Sequence, residues 1–502
     1  MELEAYRRSA EEFVSELTGE FYRHYAGLKE AYEIEPIYAR HAELFEAGAV
    51  VELRELLAGA PAGSETRRRL TLLLDFAVEG HLGEATKAAE AELARREAGL
   101  TIELDGGERL GFRESAVAQA NEADAGRRAA IERGRLEATD THLNELYEEV
   151  IGTQHARARE LGYGSYREMC AESKGLDLTA LNDETAAFTQ WSEAKYPAVV
   201  DPALHASLGF GLERFARSDI PRFFRAPELD QLFPGAELLG SFEATMRGIG
   251  IDVRAQAGVI LDIEQRPNKI PRAFCAPVRA PGEVYLVLAP TGGHEDYSVL
   301  FHEGGHTEHY ASVAPELPFE FRMLGDNSVT ETFAFLFQHL VENPAWLERR
   351  LGVSDPTAVS AHGRAQRLIY LRRYAGKLAY ELELHAADGG LERFPPRYAA
   401  LLGSSLHIDW PRETYLADVD PGFYCACYLR AWALEAHLRR HLVGQFGPAW
   451  FEDAEAGEIL LSLWREGQRR TPEEILESIT GERLRFGVLL DDLELPSAPV
   501  RS

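Results

Sequence analysis

A mainly α-helical fold with one small β-sheet is what this sequence predicts, and three observations carry that prediction. Long segments place apolar residues three and four positions apart among Glu and Arg, the period of a helix with one buried face. Short β-branched and aromatic runs bounded by Gly and Pro gather between residues 255 and 290. Directly after them stands "LFHEGGHTEHY", residues 300–310, which sets His302, His306 and His309 close together with Glu303 beside the first.

Taken in order, "SETRRRLTLLLDFAVEGHLGEATKAAEAELARREAG" and "THLNELYEEVIGTQHARARELGY" read as helices. Between them "LTIELDGGERLGF" alternates around Gly106 and Gly107 and reads as a hairpin. Proline and glycine become frequent over 196–240, which places a lobe boundary there and divides the chain into 1–230 and 231–502. "GVILDIE" and "GEVYLVLAP" read as strands, and from 291 to "FGVLLDDL" the pattern is helical again. No fixed-period repeat and no low-complexity segment interrupts it.

A chain of 502 residues can bury a large core and is expected to form two or more lobes. Its formal net charge of −29 argues against nucleic acid or an anionic membrane surface as partner, since phosphate binding needs clustered Lys and Arg. No apolar run reaches the length of a signal peptide or a membrane span, so a cytoplasmic location is expected. Cys170, Cys275, Cys425 and Cys427 lack CxxC spacing and are expected to be reduced and buried.

In a helix, His302 and His306 lie one turn apart on nearly the same line, with Glu303 alongside. This is the H-E-x-x-H arrangement of two zinc ligands and a carboxylate general base. Gly304 and Gly305 each weaken a helix interior by about 1 kcal/mol, so their presence points to close approach of another backbone or a ligand. A zinc enzyme needs a third protein ligand. Position 312 is Ser312, which excludes the metzincin pattern. A glutamate on a following helix is the other common solution, and "DNSVTETFAFLFQHL" supplies Glu331 in apolar surroundings. A carboxylate buried there costs several kcal/mol unless it is paired or bound to metal.

These residues resemble the thimet oligopeptidase and oligopeptidase F group of zinc peptidases, the M3 family. Its zinc helix reads H-E-x-G-H-x-x-H, matched by His302, Glu303, Gly305, His306 and His309, with the third ligand at the separation of Glu331. "PNKIPRAFCAPV", "VYLVLAP" and "DYSVLFHEGGH" resemble the family's approach to that helix, and the likeness covers roughly 155–490. It implies a bilobed, helical, zincin-type metallopeptidase with one zinc ion per chain on the floor of a deep channel. His302, His306 and Glu331 would hold the zinc, Glu303 would be the base, and short peptides would be the substrates. The strand "VYLVLAP" would receive extended peptide by edge pairing.

The chain departs from the family at "DVDPGFYCACYLRAW", residues 418–432. The usual tyrosine positions fall on Phe423, Cys427 and Arg430, and the usual histidine on Asp418. Phe423 cannot donate a hydrogen bond and Cys427 does so weakly, which leaves Arg430 as the strong donor. A shift of one residue brings in Tyr424 and Tyr428 instead. The expectation is Tyr424 or Tyr428 for the oxyanion and Arg430 for a peptide carboxylate. Arg322 and Arg272 are the other candidate cations, because a carboxypeptidase or dipeptidase on a related scaffold is the nearest rival reading. A helical binding protein with a vestigial site is the third.

Overall fold

The computed structural model describes residues 2–387, 389–491 and 493. Helices dominate it, with five short strands. The first expected helix spans Glu65–Gly99 and starts where Ser64 Oγ accepts from the Arg67 amide at 3.1 Å, a serine N-cap. The second expected helix is divided, with one segment at Ala125–His142 and the next at Asn144–Glu160. The hairpin is present: β1 (Thr101–Glu103) pairs antiparallel with β2 (Arg109–Gly111). Gly106 and Gly107 turn it with φ of 96° and 84°, a region that disfavours any side chain.

The second sheet holds β3 (Val259–Asp262), β4 (Phe274–Arg279) and β5 (Glu283–Val287), in the order β3-β5-β4. β5 runs parallel to β3 and antiparallel to β4. The expected peptide-pairing strand "VYLVLAP" is thus the central strand, with both edges already bonded, and the role assigned to it does not hold. The free edges belong to β3 and β4. Pro277 hides this strand from a periodicity reading, yet an edge strand can carry a proline. The N-terminal helix Leu3–Tyr25 packs against this sheet, with Phe21 edge-on to Phe274 and Tyr22 stacked on Tyr285.

Two apolar cores organise the molecule. The larger unites residues between Tyr6 and Phe223 with the helix Thr357–Leu384 and the segment up to Ala436. The smaller begins at Ala226 and takes in Phe242, Leu300, Phe301, Phe333 and Trp464. These cores do not follow the expected line at residue 230, because the chain returns to the first core after building most of the second. One helix, Tyr424–Phe446, serves both: Ala426, Leu429 and Ala433 enter the larger core, Leu434, Leu438 and Leu442 the smaller. Among the described residues no helix is long and apolar enough to cross a membrane.

The histidine helix (His294–Ala311) lies against the glutamate helix (Asn327–Gln338), which packs in turn on Tyr424–Phe446. The glycine pair is what lets the first two meet. A Cβ on Gly305 would stand 2.6 Å from Ala334 Cα and 2.6 Å from the Phe333 carbonyl oxygen, and one on Gly304 would enter the Phe242 ring. The expected close backbone approach is therefore present. Gly305→Ala should cost about 1–3 kcal/mol by overpacking, because it pushes the two helices apart. Gly83, in the interior of Glu65–Gly99 with nothing within 4 Å of its Cβ, provides the contrast: Gly83→Ala should stabilise by about 1 kcal/mol. Urea unfolding of both variants checks the pair, and equal effects would refute the contact.

Candidate metal centre

The histidine and glutamate helices bring His302, His306 and Glu331 to one point, with one potential ligand atom from each lying within 4.8 Å of the others. Glu331 Oε2 is 3.4 Å from His302 Nε2 and 3.6 Å from His306 Nε2. Donors around a tetrahedral zinc, at bond lengths near 2.1 Å, stand about 3.4 Å apart. The residues present therefore fit such an ion.

The surroundings aim these atoms. Gln338 Nε2 donates to Ser298 Oγ at 2.9 Å, which turns its Oε1 toward His302 Nδ1, also at 2.9 Å. His302 then carries its proton on Nδ1, and the lone pair of Nε2 faces the centre. His306 Nδ1 is held by Thr330 Oγ1 at 2.7 Å. The Tyr424 hydroxyl donates to Glu331 Oε1 at 2.8 Å, while no hydrogen-bond donor reaches the buried Oε2. The two imidazole Nε2 atoms and Glu331 Oε2 therefore converge on one point, the kind of donor set that takes up a cation.

The charges respond accordingly. Burial pushes the Glu331 carboxyl up, but His306, His302 and Tyr424 together hold it below the usual range. Burial pulls His302 down, and Glu331 more than offsets this, leaving it raised. At His306 burial prevails and the imidazole is lowered. Without a metal, only one of the two histidines favours taking a proton beside the shared oxygen.

The centre opens on a cavity of about 450 Å³ lined by His302, Glu303, Glu331 and Tyr428. Glu303 Oε2 accepts from the Cys275 amide of β4 at 3.0 Å, so the edge strand orients the carboxylate beside the histidines. Tyr428 faces the same cavity and its hydroxyl makes no hydrogen bond among the described residues. Burial and the neighbouring Glu331 push that hydroxyl well above its ordinary value, so it stays a proton donor. Phe335, Trp432, Tyr374 and Tyr370 continue the wall.

Other expected residues lie elsewhere. Arg430 is 4% exposed and does not line this cavity: its guanidinium pairs with Asp326, donates to Ser328 Oγ and grips Glu473 at 2.7 Å. Asp326 is the N-cap of the glutamate helix, so Arg430 braces that helix rather than holding a peptide carboxylate. Tyr424 is turned onto Glu331 rather than into this cavity, which leaves Tyr428 of the two tyrosines. Phe423 is buried against Tyr166 and His385, and Cys427 lines a different cavity. Asp418 is taken by Arg373 and Tyr398. Arg322 binds Glu11 and two backbone carbonyls, and His309 packs on Phe333. Sequence reasoning missed Gln338 and the aromatic wall, although a signal existed: Glu331, Phe335 and Gln338 recur at four and seven residues, one face of a helix.

No protein-family model matches the chain, and no curated protein is detectably similar to it.

Two substitutions test the centre. Glu331→Ala should abolish stoichiometric zinc binding, since it removes the only charged ligand. Gln338→Met should keep the stoichiometry and weaken affinity about 10–100-fold, the usual cost of losing a group that orients a ligand. Titration against a chromophoric chelator measures both, and full occupancy in Glu331→Ala would remove the assignment.

Proposed function

We propose that this chain is a zinc-dependent peptidase acting on short peptides, as its likeness to the thimet oligopeptidase and oligopeptidase F group implies. One observation carries the reading: the spacing of Glu331 Oε2 from the two Nε2 atoms is that of a tetrahedral site, with Glu303 on the adjoining wall. A zincin-type, bilobed scaffold and a cytoplasmic location belong to the same reading. A zinc ion bound there would polarise a carbonyl and make a coordinated water acidic near neutral pH.

The protein's own groups supply the remaining steps. Glu303 takes a proton from the attacking water through Oε1, which has no partner among the described residues, while Cys275 N–H holds Oε2 in place. The same carboxyl then passes that proton to the leaving amine. The Tyr428 hydroxyl donates to the carbonyl oxygen as charge develops on it. Tyr424 keeps Glu331 ionised and oriented. A cavity of about 450 Å³ takes part of an extended peptide, not a folded chain. A binding protein with a vestigial site would have no use for a base and a donor lining one cavity.

Glu303→Gln should retain zinc and lose hydrolysis, because the amide keeps the volume but cannot accept the proton. Tyr428→Phe should lower kcat about 10²–10³-fold with little change in KM, the cost of removing one donor to an oxyanion. Mass spectrometry of a short-peptide library incubated with each zinc-loaded protein reads both. Near-normal turnover in Glu303→Gln would eliminate it as the base.

A further inference from the structure

The cavity is polarised. His302 and Glu331 stand at one end, and from His302 a continuous aromatic wall runs away from them. Phe335 lies 5.1 Å from His302, Trp432 lies 5.2 Å from Phe335, and Tyr370 lies 6.1 Å from Trp432, all as ring centroids. Tyr374 and Tyr428 fill the face between, each edge-on or stacked with Trp432. Arg272, on the segment that enters β4, lines the same cavity. Burial raises the Tyr370 hydroxyl, and Arg373 and Arg272 draw it the other way, so the Arg272 charge is felt at this ring.

The charges in the cavity single out this arginine. Arg367, the other lining guanidinium, is committed to Glu342 and to His339. Arg272 is exposed and has no hydrogen bond or ion pair among the described residues. A cation without a carboxylate, in the same cavity as an aromatic wall that begins at His302, matches the terminus of a peptide. The carboxylate meets the guanidinium, the last side chain lies on the rings, and the preceding carbonyl reaches toward His302 and Glu303.

We propose that Arg272 binds the C-terminal carboxylate of the substrate and the aromatic wall its last side chain. The chain then takes short peptides that end in a large apolar or aromatic residue with a free carboxylate, and trims them from that end. The inference rests on the peptidase reading and names its substrate class.

The test uses one tetrapeptide ending in Phe, as free acid and as C-terminal amide. Binding is measured by calorimetry to the full-length, zinc-loaded Glu303→Gln protein, in which the peptide stays intact, and hydrolysis is followed in parallel with Glu303 present. The free acid should bind about tenfold tighter than the amide, the lower end of what a charge-assisted bond contributes at a solvent-facing site. Arg272→Gln should erase the difference, and Arg272→Lys should restore part of it. Zinc stoichiometry and melting temperature should not move, because this side chain holds nothing else. Equal binding of acid and amide, an acid preference that survives Arg272→Gln, or no binding of either at millimolar concentration overturns the proposal. Cleavage without acid preference removes this inference and leaves the peptidase reading. Acid-selective, Arg272-dependent binding without cleavage supports the carboxylate site and removes hydrolysis.

Discussion

The contact of Gly305 with the backbone of the glutamate helix is the constraint on which the site depends. Helix axes normally stand 8–10 Å apart, held off by their side chains. Here one position has no Cβ, and the facing residues offer Ala334 Cα and a carbonyl. That close approach carries the short reach of Glu331 to the imidazoles of His302 and His306. The neighbouring glycine solves the opposite problem, since Gly304 receives the edge of Phe242 from the smaller core and fixes the helix on its other side.

What could be read in the sequence follows a simple physical division. His302, Glu303 and His306 were legible because helical spacing alone brings them together. Glu331 was legible because a carboxylate among Val329, Phe333 and Leu336 demands a partner. The glycine pair was legible because its cost needs a reason. Other features were set by pairings distant in sequence and left no local trace. β4 was overlooked because Pro277 breaks the pattern of a strand, and its identity as an edge depends on where β5 lies. Arg430 looked available because Asp326 and Glu473, which claim it, are 104 and 43 residues away. Tyr424 and Tyr428 share a helix face, so only the position of Glu331 decides which of them is taken.

The aromatic residues divide their work by depth. Phe333 and Phe337 fill the smaller core, whereas Phe335, two positions from each on the same helix, faces the cavity beside His302. Apolar surface next to a charged centre excludes water and strengthens each electrostatic contact there. It also leaves hydroxyls such as that of Tyr428 without competing partners. Glu342, Arg367 and His339 engage one another on the cavity wall, so their charges do not compete with those of Glu331 and Arg272.

The helix Tyr424–Phe446 contributes to both apolar cores and, through its first side chain, to Glu331. It therefore joins three things that could otherwise come apart separately. Its loss would expose both cores at once, so opening of the site is tied to melting of the whole molecule rather than of a loop. An ion bound at the centre would then act as a thermodynamic ligand of the entire native state, adding RT ln(1 + [L]/Kd) to global stability. Metal supply and protein lifetime would become linked quantities. A cell short of the ion would hold not an idle pool of this chain but a smaller one, as the apo form unfolds more often and is cleared.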